Sequence, residues 1–200
     1  MPNVRIPTQK RSIDKYNKII DKGFELMCNQ GYYNTTTNDI AKYTGVSVGI
    51  IYQYFDDKKD IFYEGAKRHC DEIMFPLFSY IDDIKELPDD IRPVLKEIIK
   101  KNKKQHNSSI KAHQELSSML HLDEDIGNIF KESELALSNK LYDLLVSNGD
   151  DKTNLEEKTH IIVDLIDNLA HEESYHKHKT FNYDAMEDIV IDMIVNILKK

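Results

Sequence analysis

Side chains able to contact nucleic acid are concentrated in one stretch near the start of the chain, Thr36–Phe62. Its sequence, TTNDIAKYTGVSVGIIYQYFDDKKDIF, combines hydroxyls, amides, aromatic rings and lysines. Hydroxyl and ammonium groups donate hydrogen bonds to phosphate oxygens, whereas the amides of Asn38 and Gln53 offer the donor and acceptor pair that suits an adenine edge. The chemistry available to this stretch is therefore the binding of a phosphate backbone and the reading of bases.

Residue patterns typical of catalysis or metal binding are not found in the sequence. The segment HEESYHKH at 171–178 places His171 and His176 five residues apart, about 140° around a helix, so the two imidazoles do not share a face. No nucleophile elbow, phosphate-binding glycine loop or closely spaced cysteine pair occurs, and the chain has only seven glycines. The sequence therefore predicts no enzyme activity, no metal site and no cofactor.

Two short helices separated by a glycine turn are predicted within the stretch, at about Asn38–Tyr43 and Val48–Phe55. Thr36 or Thr37 can cap the first helix, and Gly45 ends it. This order of elements is a helix-turn-helix. The second helix leaves an outward face of aromatic, amide and small side chains, which suits entry into a major groove. That face consists of Val48, Gly49, Tyr52, Gln53 and Tyr54.

Helical periodicity continues through the rest of the chain, and no strand-period alternation is found. We therefore predict an all-α fold. A three-helix domain with the helix-turn-helix at about 37–55 is expected over residues 1–60. A larger helical domain is expected over residues 61–200.

The last two predicted helices, Leu155–Tyr175 and Tyr183–Leu198, carry apolar side chains over more than half of their circumference. A stripe this wide is more than one neighbouring surface can bury. We expect the pair to pack on its own domain and on the same pair of a second copy, as a two-fold four-helix bundle. Complete burial inside a monomer is the alternative. The expected interface residues are Ile162, Leu165, Ile166, Leu169, Ile189, Val190, Met193 and Ile197.

Polar side chains on otherwise apolar helical faces are candidates for orienting a small ligand in the larger domain. His113 lies on such a face, where a hydrogen-bonded core histidine is the alternative interpretation. The other candidates are Ser117, Glu134, Asn168, His171 and Tyr175.

Charge is distributed unevenly along the chain, whose net charge is −8. The first 52 residues carry seven Lys or Arg against four acidic residues, so the acidic excess lies in the remainder. A mildly basic amino-terminal segment followed by an acidic remainder is compatible with a small phosphate-binding surface near the start of the chain. Arg5, Lys10 and Arg11 lie in the polar arm before the first predicted helix and could extend that surface, although a solvated tail is an equal alternative.

Cytoplasmic location and the absence of membrane contact are expected from the same sequence. No apolar run approaches the roughly 20 residues that span a bilayer, and the first residues lack the apolar core of a signal peptide. Cys28 and Cys70 sit inside apolar helical patterns, which is typical of reduced, buried thiols.

The stretch Thr36–Phe62 resembles the helix-turn-helix signature of the TetR family of bacterial transcriptional regulators. The resemblance covers about residues 12–62, roughly a quarter of the chain, and the larger domain matches only in its helical layout. Ile50 departs from the pattern, since a smaller Thr or Ala is commoner there. The matching positions are Thr37, Ile40, Ala41, Gly45, Val46, Ser47, Gly49, Tyr52, Tyr54, Phe55, Lys58, Ile61 and Phe62.

This resemblance implies a homodimeric repressor that binds a palindromic operator in double-stranded DNA and is released when a small molecule enters the larger domain. It assigns phosphate contacts to Thr37, Tyr54 and Lys58. It places Ser47, Val48, Gly49 and Tyr52 at the groove, with Asn38 and Gln53 as further candidates for base edges.

Two other classes of function remain open from the sequence alone. One is a helical dimer whose helix-turn-helix contacts protein instead of DNA. The other is a helical enzyme whose site has no recognisable pattern.

Overall fold

The computed structural model describes residues 5–108 and 110–199, without the side chains of residues 73–75 and 108. It is 76% helical and has no strands among these residues, which confirms the predicted all-α class. The helices of this part of the chain are α1 Lys10–Gln30, α2 Thr37–Thr44, α3 Val48–Ile51, α4 Lys58–Asp83, α5 Arg92–Ser108, α6 Ile110–Leu120, α7 Glu124–Ser147, α8 Leu155–Tyr175 and α9 Tyr183–Leu198.

Most helix ends lie within three residues of the predicted ones, and α8 and α9 have the predicted bounds. The largest difference is at α3, which ends at Ile51 and not at Phe55. Beyond Ile51 the amides of Gln53 and Tyr54 bond to carbonyls three residues back, at 3.3 and 3.0 Å. This tighter, 3₁₀-like turn replaces the last part of the predicted helix. The helix α4 includes Pro76 and ends at Asp83.

The chain divides into two compact units, which are described separately. The first contains the residues up to Asp71 together with Lys111–Phe130, and the second contains Glu72–Ile110 and the chain from Lys131 onward. The predicted boundary after residue 60 divides the chain by function and stays a prediction.

A continuous apolar core holds the first unit together. Its fully buried members come from α1, α2, α3 and the turn after it, the first part of α4, α6 and the start of α7, which therefore share one interior. The apolar side chains of this core with less than 2% exposure are Ile19, Ile20, Met27, Ile40, Ile51, Phe55, Ile61, Phe62, Ala66, Leu116, Met119 and Ile126.

Both cysteines lie in this core, with Cys70 buried and Cys28 half-buried. Burial raises the pKa of each thiol to about 12. Because the thiolate is the nucleophilic form, both side chains act as small apolar groups here.

Two glycines let α1 and α4 approach each other closely within the first unit. A Cβ atom on Gly23 would lie 2.7 Å from Ile61 Cγ2, and one on Gly65 would lie 2.5 Å from Phe24 Cγ. Real carbon atoms do not approach this closely, so each position needs a residue without a side chain. The crossing fixes where α4 begins relative to α1, and thereby where α2 and α3 can pack.

In the second unit, α5, α8 and α9 pack around a separate core. Ile162, Ile166 and Leu169 of α8 are 1–7% exposed and belong to this core. Their side chains are therefore occupied by packing within the chain. The opposite faces carry exposed apolar side chains instead, Ile161 on α8 and Ile189 and Met193 on α9.

We expect Gly65→Ala to lower the free energy of unfolding by about 1–3 kcal/mol, because the added methyl group forces α1 and α4 apart. Gly49→Ala is the matched control, since the nearest atom to its added methyl is Ser47 Oγ at 4.0 Å and alanine favours a helix. Urea unfolding followed by circular dichroism measures both. Equal stability of the two variants would contradict the close crossing.

Candidate nucleic-acid interface

The start of α2 is fixed by a reciprocal pair of hydrogen bonds. Thr36 Oγ1 accepts from the amide of Asp39 at 3.2 Å, and the Asp39 carboxylate accepts from the amide of Thr36 at 2.9 Å. Such a capping box satisfies amides that the first turn of a helix leaves unpaired. Bonds from Thr36 also lower the pKa of Asp39. Thr37 and Asn38 are thereby held in the first turn of α2, where Asn38 is exposed and Thr37 half-buried.

The turn between α2 and α3 is made by Gly45. Its φ of 70° and ψ of 27° lie in the left-handed region, and its amide bonds to the carbonyl of Ala41. This conformation ends α2 and costs glycine little, because glycine has no Cβ. Ile40 and Ile51 are fully buried on either side of the turn, which fixes α3 against α2.

The predicted contact residues differ in how far they reach solvent. Ser47, Gly49, Tyr52 and Gln53 are exposed, and the Tyr52 side chain is 52% exposed. Val48, in contrast, is half-buried against the core of the first unit. Gln53 and Tyr52 lie in the tight turn after α3 and not within the helix itself. A compact exposed surface thus remains at the end of α3 and at the start of α2.

Tyr54 is more enclosed than its neighbours. Its ring meets Tyr16 edge-on at a centroid distance of 5.9 Å, and Tyr16 in turn stacks on Phe55 at 5.2 Å. The aromatic ring of Tyr54 therefore helps to hold the turn on α1. The predicted phosphate contact of its hydroxyl stays a prediction.

The segment before α1 is tied to this surface through its main chain. The amide of Arg5 donates a hydrogen bond to the carbonyl of Tyr54 at 3.0 Å. Arg5, Lys10 and Arg11 are all exposed. The arm thus places positive charge beside the turn that carries Tyr52 and Gln53.

Lys58 is held inside the first unit by the connection between α1 and α2. Its ammonium donates to the carbonyls of Tyr32 at 2.6 Å and Thr35 at 2.7 Å, and lies 4.3 Å from the centre of the Tyr32 ring. Two of its three donors are therefore used within the chain. Any phosphate contact of Lys58 has to come from the third, so its first role in this structure is to join α4 to that connection.

A second lysine at the start of α4 performs a related task. Lys59 lies 2.8 Å from Asp123, in the turn between α6 and α7, and 3.0 Å from Asp125, in the first turn of α7. These bonds raise the pKa of Lys59 and lower that of Asp125. Lys59 is thereby directed toward carboxylates of its own unit.

The six predicted ligand residues fall into separate groups. His113 and Ser117 form a pair on α6 in the first unit, with His113 Nε2 and Ser117 Oγ 3.2 Å apart. In the second unit, Glu134 of α7 lies 3.7 Å from His160 of α8. Burial raises the pKa of Glu134, and a hydrogen bond with Asp164 raises it further.

His171 and Tyr175 form another group on α8. Their ring centres are 5.0 Å apart, and the Tyr175 hydroxyl donates to the carbonyl of His106 at 2.6 Å. Burial lowers the pKa of His171 and raises that of Tyr175 to about 12. Asn168 is exposed and donates to the carbonyl of Asp164 in its own helix.

A recess of about 370 Å³ on the second unit contains none of these six residues. It is lined by Asp150, Asp151, Thr153, Leu155, Lys158, Leu198 and Lys199. The predicted grouping of all six around one ligand stays a prediction, and the structure brings two pairs of them into direct contact, His113 with Ser117 and His171 with Tyr175.

The predicted interface residues divide between core and surface. The buried Ile162, Ile166 and Leu169 offer no surface to a second copy, which corrects their assignment to the interface. Their helical periodicity correctly predicted burial, but it could not show whether helices of the same chain or a second copy bury them. Ile189 and Met193 remain 60% and 45% exposed, while Leu165, Val190 and Ile197 are half-buried.

Sequence reasoning missed the residues that organise the site through backbone groups. Glu115 of α6 accepts from the amide of Tyr32 at 2.6 Å, and Lys58 holds the carbonyl of the same residue. Nothing in the local sequence points to Glu115, because its partner is 83 residues away.

Comparison with known proteins supports a nucleic-acid interface in this part of the chain. Residues 19–64 match the model of the family described as bacterial regulatory proteins, tetR family. The chain is 43% identical over 58 residues to the HTH-type transcriptional regulator HbdR of Aromatoleum sp. (strain CIB), a stretch covering 29% of this chain and 25% of that protein. It is 42% identical over 52 residues to the fatty acid metabolism regulator protein of Bacillus subtilis (strain 168), covering 26% and 27%. The chain thus matches about a quarter of the length of these relatives.

Solved structures extend the likeness to the whole fold. The transcriptional regulator FadR of Bacillus subtilis, solved in complex with stearoyl-CoA, superposes with a TM-score of 0.64 at 22% identity, covering 92% of this chain and 100% of that chain. At this identity the likeness shows a shared fold. Across the described ranges, no helix has the length and apolar character needed to cross a membrane.

We expect Lys58→Ala to lower the free energy of unfolding by about 1.5–3 kcal/mol, because two carbonyls lose a charged donor. Lys67→Ala is the control, since Lys67 is an exposed lysine on the same helix, where substitutions usually change stability by less than about 0.5 kcal/mol. Urea unfolding in the absence of DNA measures both variants. If Lys58→Ala unfolds at the same urea concentration as Lys67→Ala, the bonds to Tyr32 and Thr35 contribute nothing.

Proposed function

Because this chain carries the amino-terminal domain of the tetR family of bacterial regulatory proteins, we propose that it is a DNA-binding transcriptional regulator without enzyme activity. In this proposal, residues 1–60 bind DNA and residues 61–200 form the dimer and bind an effector. The protein acts in the cytoplasm, where a bacterial chromosome is accessible.

The observation that carries the proposal is the exposed surface at the start of α2 and the end of α3, within the residues that match the family. Asn38 and Gln53 are exposed amides on this surface, and an amide side chain can bond an adenine through two hydrogen bonds. The capping box of α2 and the buried Ile51 of α3 hold the two elements rigidly, which suits a site that must keep its register on a duplex.

Phosphate contacts in the proposal come from the exposed groups that surround these amides. Thr37 lies in the first turn of α2, where helix amides favour an anion. Arg5, Lys10 and Arg11 supply charge from the segment beside the turn after α3. Tyr52 and Ser47 complete the surface near the major groove. Val48 and Gly49 are the residues of this surface that come closest to the DNA in the proposal.

One copy of such a small surface gives weak binding, so the proposal requires two. In the proposal, the exposed side chains Ile161, Ile189 and Met193 make up an apolar patch on α8 and α9, and the half-buried Leu165, Val190 and Ile197 lie on the same two helices. Pairing of this patch with its copy would give an interface with two-fold symmetry. Two DNA-binding domains related by that symmetry would bind the two halves of a palindromic operator.

The proposed effector is a small molecule bound by the second unit, and repression is relieved when it binds. Support comes from the shared fold with FadR, which is solved with stearoyl-CoA. The polar group around His171 and Tyr175 is the part of the predicted ligand set that is already assembled.

Base reading is tested with Gln53→Ala in fluorescence anisotropy on duplexes from the DNA flanking the chain's own gene. We expect the affinity for the specific duplex to fall roughly five- to 150-fold, because a bidentate amide contact contributes about 1–3 kcal/mol. Gln114→Ala is the matched control, since Gln114 is an exposed amide on α6 and outside the proposed surface. Binding to unrelated DNA should be equal for the two variants.

Salt dependence decides between DNA binding and protein contact in the same assay. A protein that neutralises phosphates loses affinity steeply as salt rises, and Arg11→Ala should reduce the slope by about 0.9. Absence of binding by the unmodified protein at 50 mM salt, which is about the low end of such titrations, would overturn the proposal in favour of a protein-interaction module.

Dimerisation is tested with Ile189→Asp by sedimentation velocity. We expect a monomer, because a carboxylate in the apolar patch cannot be paired in the symmetric interface. Leu135→Asp is the control, since Leu135 is 57% exposed on α7 and thus closely matches the 60% of Ile189. A dimer that persists in Ile189→Asp but is lost in Leu135→Asp would move the interface to α7.

A further inference from the structure

Three potential metal ligands from α7 and α8 converge on one place in the second unit. Donor atoms of Glu134, His160 and Asp164 all lie within 4.8 Å of one another. The shortest recorded separation joins His160 Nε2 to Glu134 Oε1 at 3.7 Å. No other part of the proposed function uses His160 or Asp164.

The convergence follows from helical geometry. His160 and Asp164 are four residues apart on α8, so their side chains lie on the same face of the helix, one turn from each other. Glu134 approaches both of them from α7. Two rigid helices therefore set the positions of all three side chains.

A serine on α7 orients the imidazole of this group. Ser138 Oγ is buried, donates to the carbonyl of Glu134 at 3.1 Å, and lies 3.4 Å from His160 Nδ1. With the serine proton on the carbonyl of Glu134, the hydroxyl accepts from Nδ1 of the tautomer that carries its hydrogen there. In that tautomer of neutral His160 the lone pair of Nε2 is available to the side of the carboxylates.

Such an arrangement needs a positive charge between the donors. A lone pair and two carboxylate groups face the same small space, and their mutual repulsion is relieved only by a proton or by a cation. A serine that fixes the ring through the other nitrogen is the kind of outer contact that metal-binding histidines have.

We propose that Glu134, His160 and Asp164 bind one divalent transition-metal ion. The imidazole favours ions such as Zn²⁺, Co²⁺ or Ni²⁺ over Mg²⁺ and Ca²⁺, which prefer oxygen ligands throughout. His160 and Glu134 are 50% and 41% exposed at the side chain, so water completes the coordination from the open side.

The distances fit an ion with modest adjustment. Ligand atoms about 2.1 Å from one tetrahedral ion stand about 3.4 Å apart, which is close to the 3.7 Å pair. The widest pair has to close by at most about 1.4 Å. Half-exposed side chains can make that movement without disturbing the core.

The test is isothermal titration of the full chain, freed of metal with a chelator, with Co²⁺ as the probe and the visible absorption of bound Co²⁺ as a second readout. We expect one ion per chain, and a loss of affinity of about tenfold or more in Glu134→Gln, His160→Ala and Asp164→Asn. Ser138→Ala should weaken binding by about ten- to 100-fold while leaving the three ligands in place.

His178→Ala is the matched control. His178 also lies 3.7 Å from a glutamate, Glu172, but it is not part of the three-residue group. It should bind Co²⁺ as the unmodified protein does. Circular dichroism checks that each variant is folded.

Two results would overturn the proposal. One is the absence of stoichiometric Co²⁺ binding, which would leave a proton as the only charge between the donors. The other is an equal loss of affinity in His160→Ala and His178→Ala. Neither measurement involves DNA, so failure here is separate from failure of the proposed regulator.

Discussion

The close crossing of α1 and α4 is the constraint on which the first unit depends. Gly23 and Gly65 remove the side chains that would hold the two helices apart, and Ile61 and Phe24 fill the space that results. Ile40 of α2 lies against the same place, 3.2 Å from a Cβ built on Gly23. The position of α2, and through Gly45 that of α3, therefore follows from how closely the first and fourth helices meet.

Two lysines at the start of α4 add electrostatic contacts that hold the first unit together. Lys58 donates to carbonyls in the connection between α1 and α2, and Lys59 pairs with one carboxylate just before α7 and one in its first turn. Adjacent lysines thus bind in different directions within one unit. A residue type that suggests phosphate binding in the sequence serves first to assemble the scaffold that presents other residues.

Much of the fold could be predicted because local rules decide it. Periodicity gave the bounds of α8 and α9, and the spacing of Thr36, Gly45 and Ile51 gave the helix-turn-helix. What could not be predicted depends on distant partners. Ile162 and Leu169 are buried on the side of α8 that α5 covers, and the sequence does not show which helix that is. Lys58 is enclosed by backbone carbonyls, which every residue has and which therefore leave no signal in the sequence. The group around His160 similarly needed the approach of α7, although the spacing of His160 and Asp164 was a readable signal.

The bond between the amide of Arg5 and the carbonyl of Tyr54 has a consequence for how this protein can diversify. Since the donor belongs to the main chain, nineteen amino acids can make it and only proline cannot. Mutation can therefore change the charge and size of the side chain at position 5 while the arm stays attached beside the turn. In the proposed regulator, variation of this arm could change the DNA sequence that is bound at no cost to the arm's attachment.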